Sequence, residues 1–271
     1  MKNYYFITIA AFVAALFSAT AFAASASSNF DRELSTAAII TFTLSNTNGA
    51  VEILPGDGDK IVIHAVKKVT GPLEGECTTL LDKLQIEVSQ TSSAIKVKHS
   101  KFDKMLYNAS IEYTIHLPAN IKVEIETTNG SITCKERAAD TELETTNGEI
   151  ELTNCIGNVS AVTTNGAITA QCATPKAKFE STNGSLHLEI KLSEGGKLSA
   201  ETTNGSIHLR VPKDVSASVS AETTNGKINA DSFESSLSFN RRHTEANGKL
   251  GAGSGTIKLE TTNGRIEIDT L

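Results

Sequence analysis

Six glutamates recur at one fixed place in this chain, three positions before an Asn-Gly pair: Glu126, Glu144, Glu180, Glu201, Glu222 and Glu260. If those places stack, the carboxylates form an outer stripe able to attract a cation or dock a basic partner, working against their own repulsion. Calcium requires roughly six to eight converging oxygen ligands, and no Asp-rich calcium-binding nonapeptide occurs. The stripe therefore reads as a solvated face, with Lys178, Lys258 and Arg242 two positions earlier placed to neutralise part of it. His187 and His208 share another slot, four after their asparagines. Two imidazoles fall short of the usual zinc ligand set, so they read as surface histidines beside Glu180 and Glu201. Arg241, Arg242, His243 and Glu245 form the one dense polar cluster, where a carbohydrate-active site of parallel β-helix type would have to sit. No G-x-S-x-G, H-E-x-x-H, Walker or dinucleotide sequence is present. The pattern implies no cofactor, no metal and no enzyme.

Four cysteines, Cys77, Cys134, Cys155 and Cys172, complete the reactive inventory. Their compartment is set by the N-terminus. Lys2 is the only charge before Asp31, an apolar run covers Phe6 to Phe17, and Ala21-Phe22-Ala23 offers an A-x-A cleavage signal. Residues 1–23 thus read as a secretory leader, and the rest as an exported protein, periplasmic or at the cell surface, with no transmembrane anchor after cleavage. An even cysteine count in an exported chain without C-x-x-C spacing favours disulfides. A net charge of −6 argues against nucleic acid as a partner.

The elements that must hold these side chains announce themselves by repetition. Asn-Gly occurs with asparagines at 129, 147, 165, 183, 204, 225, 247 and 263, spaced by 18, 18, 18, 21, 21, 22 and 16 residues, with an outlying copy at Asn48-Gly49. Most copies read E-T-T-N-G-x-I. Apolar residues stand four before the asparagine and three and five after it, with polar residues between. That period of two marks strands with one buried face on each side of a corner. The glycine is expected to supply a left-handed conformation at that corner. Alternating strands could form an antiparallel meander, but the same Thr-Thr-Asn returning each time favours a solenoid with equivalent residues stacked about 4.8 Å apart.

The expected fold is therefore all-β, a single-stranded parallel β-helix or β-solenoid with coils of about 18–22 residues. Residues 24–120 supply N-terminal strands and a cap, with a short helix near Thr78 to Leu84. Residues 121–271 supply the regular repeat, continuous with the first part as one domain. Arg265, Glu267 and Asp269 would face outward from the last strand and guard its edge. In sequential stacking Cys155 and Cys172 lie over one another within disulfide reach, leaving Cys77 with Cys134 by elimination.

The stretch Ile111-Glu-Tyr-Thr-Ile-His-Leu-Pro118, then Ile121-Lys-Val-Glu-Ile-Glu-Thr-Thr-Asn-Gly130 and the serial T-N-G-x-I units, resembles the bacterial family termed "putative adhesin". This is a domain of unknown function in exported and envelope proteins. The resemblance spans nearly all of the chain beyond residue 35 and implies a β-solenoid at the cell envelope. It brings no catalytic residues. The functional expectation is a non-enzymatic envelope or surface protein presenting a repetitive polar face to an unidentified macromolecule. A structural or envelope-stress component without a specific ligand is a further possibility.

Overall fold

Period-two alternation of apolar and polar residues does produce strands in the computed structural model, which describes residues 23–36, 38–56, 58–240 and 242–271. The fold is all-β, one nearly closed, solenoid-like sheet. Among the described residues the helical elements are an α-helix, Glu74–Lys83, and a 3-10 turn, Asp231–Phe233. Most of the expected leader, residues 1–22, lies outside the described residues.

Around the corners, strands pair in parallel and in register one repeat apart. Leu143 stands opposite both Ile125 and Ala161, and Ala161 opposite Phe179. After the corner, Ile150 stands opposite Ile132 and Ile168, which in turn meets Leu186. These files are buried, and each buried Leu or Ile contributes about 1.5–3 kcal/mol. Phe179 is fully buried between Ala161 and Ala200. One ring thus fills the space left by two small neighbours, as close packing requires.

The recurring T-T-N-G has a separate cause at each position. The first threonine points inward, and its hydroxyl donates to the glycine carbonyl of the adjacent coil: Thr145 to Gly130 at 3.0 Å, Thr163 to Gly148 at 3.0 Å and Thr202 to Gly184 at 2.9 Å. The asparagine amides form a chain, each Nδ2 donating to the next Oδ1 at 2.8 Å, from Asn147 to Asn129, Asn165 to Asn147 and Asn183 to Asn165. The glycine is required by crowding. A Cβ on Gly166 would stand 1.9 Å from the Gly148 carbonyl oxygen, and one on Gly184 would stand 1.8 Å from that of Gly166. The expected left-handed backbone is absent from these positions. Among the Asn-Gly glycines only Gly49 has positive φ, at 115°.

The stacking order departs from chain order. The amide chain begins at Asn48, which accepts from Asn129 at 2.8 Å, so the outlying copy is the first rung. At the far end Asn263 donates to Asn204, and Asn225 donates to Asn263. The last coil, Gly255–Asn263, therefore lies between the strands Leu186–Asn204 and Ala217–Thr223, in parallel with both. Asn247 is no rung at all. Its strand, Glu245–Leu250, runs antiparallel to Ala217–Thr223 and Leu237–Phe239. His243, which falls in the slot four before Asn247 that is buried in the other repeats, is exposed with φ of 56°, and Ala246 takes the buried place. The terminal strand Ile266–Thr270 pairs along its length with Ile207–Val211 on one side, and on the other side with Ile228–Asn229 at Ile266 and Glu267 only. Glu267 therefore stands beside a strand on each side, whereas Asp269 lies on the stretch with one strand neighbour.

At the other end, Thr41–Ser45 pairs in parallel with Lys122–Asn129 and with Ala94–His99. Antiparallel pairs then finish the stack. Ile86–Gln90 lies along Ala94–His99, and Lys60–Gly71 lies between Asn108–Leu117 and Ala24–Ser35. Antiparallel hairpins thus interrupt the parallel pattern at both ends, where a solenoid must cover its edges.

Candidate functional site: a glutamate and threonine trough

In-register pairing brings the predicted glutamates into one file. Its order is Ser45, Glu126, Glu144, Val162, Glu180, Glu201, Glu260 and Glu222. Val162, which stands three before Asn165, interrupts it. One feature of the file could not be read from spacing: Glu260 stands between Glu201 and Glu222 because the last coil is inserted there. Glu245, on the antiparallel strand, extends the file beyond Glu222.

Lysines on the neighbouring file neutralise part of the stripe. Lys178 lies 2.9 Å from Glu180, and Lys258 lies 2.9 Å from Glu260 and 3.5 Å from Glu201. Hydrogen bonding to Glu260 raises the Lys258 pKa. Arg242 makes no such pair; its backbone N–H donates to Asn240 Oδ1 at 3.1 Å. Lys122 bridges Glu124 at 2.8 Å and Glu142 at 3.0 Å, and its hydrogen bond lowers the Glu124 pKa. No cation among the described residues pairs with Glu126, Glu144 or Glu222.

The outward threonines that follow these glutamates complete a trough. A cavity of about 490 Å³ is lined by Glu180, Glu201, Glu222 and Glu260 with threonines including Thr164 and Thr203. A second, of about 250 Å³, is lined by Glu124, Glu126, Glu142 and Glu144. Val162 borders both, so the depression runs along the stacked coils.

His187 and His208 are in register, with ring centroids 6.5 Å apart and edge-on. The carboxylate beside His208 is Asp269, 3.1 Å from Nε2, rather than the expected Glu201. Among the described residues no group of three His, Cys, Asp or Glu could hold a metal ion. In the Arg241–Glu245 cluster, Arg241 lies outside the described residues. His243 stacks on Phe239 at 5.2 Å, and Glu245 accepts from Asn247 at 2.9 Å. That arrangement brings no cation onto Glu245.

All four cysteines are buried free thiols. Cys155 and Cys172 are direct partners across adjacent strands. The elimination pairing fails, because Cys77 sits in the helix with its thiol 3.6 Å from the Ala24 carbonyl, while Cys134 lies against Cys155. Interaction with the neighbouring Cys134 and Cys172 thiols holds the Cys155 pKa well below the usual thiol value and pushes those of the two neighbours up. Beside them is a residue that sequence reading missed. Arg137 is 1% exposed, and its guanidinium donates to the carbonyls of Leu117 at 2.8 Å and Ile121 at 2.9 Å. A signal existed. Arg137 follows Cys134 by three residues as Cys155 follows Leu152, and Leu152 pairs with Cys134. The same slot therefore points inward in both coils.

The sequence profile of the family described as Toastrack DUF4097 matches residues 41–269. No curated protein matches the sequence. Among solved structures, a "putative adhesin" from Bacteroides fragilis NCTC 9343 is similar at 12% identity and a TM-score of 0.49, covering 89% of this chain and 97% of that one. A "putative cell adhesion protein" from Clostridium sporogenes ATCC 15579 is 16% identical with a TM-score of 0.33, covering 91% and 100%. A "putative lipid binding protein" from Parabacteroides distasonis ATCC 8503 is 12% identical with a TM-score of 0.32, covering 90% and 96%.

Proposed function

The chain belongs to the Toastrack DUF4097 family, and we propose that it is a non-enzymatic, exported envelope or surface protein whose trough docks an elongated cationic macromolecule. Residues 1–23 are the leader in this reading. Residues 24–271 form one continuous domain, with 24–120 capping a single-stranded parallel β-helix of 18–22-residue coils. Among the described residues no helix is long and apolar enough to cross a membrane.

The observation that carries the proposal is the continuity of the trough. Carboxylates recur at every rung from Glu126 to Glu222 except that of Val162, with threonine hydroxyls beside them, about 4.8 Å apart along a line several coils long. Like charges in such a file repel one another. Internal lysines relieve Glu180, Glu201 and Glu260, leaving Glu126, Glu144 and Glu222 for positive charge from outside. The net charge of −6 favours the same class of partner by steering. Binding of this kind is geometric and electrostatic, needing neither a nucleophile nor a cofactor.

The test is capture of partners from envelope extracts by the protein and by a variant carrying Glu180→Lys, Glu201→Lys and Glu222→Lys. The trough reading expects the variant to lose partners that the unaltered protein releases as salt is raised. The same partners held by both proteins would refute the reading.

A further inference from the structure

The strongest unassigned chemistry lies in the interior, independent of the trough. Cys155 lies on a strand between those of Cys134 and Cys172, all three side chains are buried, and Cys172 stands directly opposite it. Its placement has a local cause. The pairing with the next strand shifts between Thr153 and Cys155, and Asn154 takes φ of 57°. That irregularity turns Cys155 inward, where it is fully buried and directly opposite Cys172. Glu136 has φ of 55° in the preceding coil and turns Arg137 inward in the same manner. The Ile156 N–H donates to the Arg137 carbonyl at 2.8 Å, joining the two turns.

Arg137 brings a buried positive charge to this place. Among the described residues no carboxylate pairs with it, and its Nε has no hydrogen-bond partner. A buried cation without a counter-charge is costly. A thiolate on Cys155 is the anion within reach, and it would also accept the backbone N–H of Arg137 and the two neighbouring thiols. Access comes from the opposite side. Cys172, 5% exposed, borders a surface cavity of about 270 Å³ whose rim carries the exposed apolar side chains of Ile156 and Leu271.

We propose that Cys134, Cys155 and Cys172 form a thiol–disulfide relay, in which Cys155 bonds to one neighbour at a time and Cys172 receives oxidising equivalents from a disulfide-bearing molecule. The geometry suits the Cys155–Cys172 bridge, since those residues stand opposite one another on neighbouring strands about 4.8 Å apart and disulfides span Cα separations of about 4.4–6.8 Å. Cys134 lies on the strand at the other side, opposite Leu152, so the second bridge requires the Cys155 side chain to turn toward it. In the first step Cys172 passes its proton to the neighbouring Cys155 thiolate, and its sulfur attacks the external disulfide. A mixed disulfide forms and one external thiolate leaves, taking that proton from Cys155, which is a thiolate again. The Cys155 thiolate then attacks Cys172 Sγ, making the Cys155–Cys172 bond and expelling the second external thiolate. Two protein thiols are oxidised and one external disulfide is reduced to two thiols. In the last step Cys134 loses its proton and attacks Cys155 Sγ. The bridge moves to Cys134–Cys155, and Cys172 regains a proton as a free thiol, with no further change in oxidation state. Cys77, on the helix beside Ala24, takes no part.

The purified full-length protein, treated with oxidised glutathione and then alkylated, provides the test. Peptide mapping that cleaves between Cys155 and Cys172 should find two thiols lost per chain and one bridge that always contains Cys155, joined to Cys172 or Cys134. Cys77 should remain alkylated. Cys155→Ser should form no internal bridge and retain glutathione on Cys172. Cys172→Ser should react about tenfold more slowly. A bridge that omits Cys155, the absence of any bridge in the unaltered protein, or loss of two thiols in Cys155→Ser at the unaltered rate would each overturn the proposal. The map of the unaltered protein decides the matter even if a variant fails to fold.

Discussion

At Gly166 a single missing methyl group sets the identity of the residue. Its Cα lies so close to the Gly148 carbonyl that Ala would place a carbon 1.9 Å from oxygen, and the obstacle is backbone. Gly166→Ala should therefore cost at least about 3 kcal/mol in urea unfolding, whereas Gly75→Ala, in open space on the helix, should gain about 0.5 kcal/mol. Arg137 is the second such case. Replacing it with Met removes the donors from the Leu117, Pro118 and Ile121 carbonyls and should cost about 3 kcal/mol. Surface carboxylates matter less and act through pH. The Glu124 pKa is lowered by Lys122, so its contribution is complete above the ordinary carboxylate value and is lost as pH falls through the lowered one. Glu124→Gln should flatten that acid limb while changing neutral-pH stability by less than about 1 kcal/mol, since the pair is largely solvated. The repeated glycine was legible in the sequence but its reason was not, because close approach between coils is a tertiary fact. Arg137 was obscured for a similar reason: arginine is ordinarily an exposed residue.

At the level of the coil, the corner is a set of hydrogen bonds that works only when another corner lies alongside. Asn165 both donates to Asn147 and accepts from Asn183, at 2.8 Å each. Asn165→Ala breaks two links and should cost about 1 kcal/mol. Asn247 looks identical by spacing, yet it donates to Glu245 on its own strand. Asn247→Ala should stay within about 0.5 kcal/mol of the unaltered protein. Thermal unfolding of the two variants side by side checks the contrast. The period of two and the inward apolar files were readable because burial alone dictates them. The false rung at Asn247 was not, because a sequence match cannot report whether a strand's neighbour runs parallel or antiparallel. Glu245 joins the acidic file for the same reason, since its place beside Glu222 depends on pairing, whereas the gap at Val162 was readable three before Asn165.

For the whole molecule, the decisive feature is the order in which coils stack. An all-β, solenoid-like architecture followed from the repeat, and the Glu file followed from that architecture. Insertion of the final coil between its predecessors did not, since nothing in the residues near Asn263 distinguishes a terminal neighbour from an interior one. The insertion matters for function because it places Glu260 and Lys258 between Glu201 and Glu222 rather than beyond Glu222. It also gives the terminal strand two partners. The most direct measurement is cysteine cross-linking at the exposed positions Thr203, Thr224 and Thr262, with bridges located by peptide mapping. The account expects rapid bridging in the Thr203→Cys, Thr262→Cys pair and none in the Thr203→Cys, Thr224→Cys pair, whose strands are separated by the inserted coil. Bridging of Thr203→Cys with Thr224→Cys, and not with Thr262→Cys, would mean that the coils stack in chain order and would contradict it.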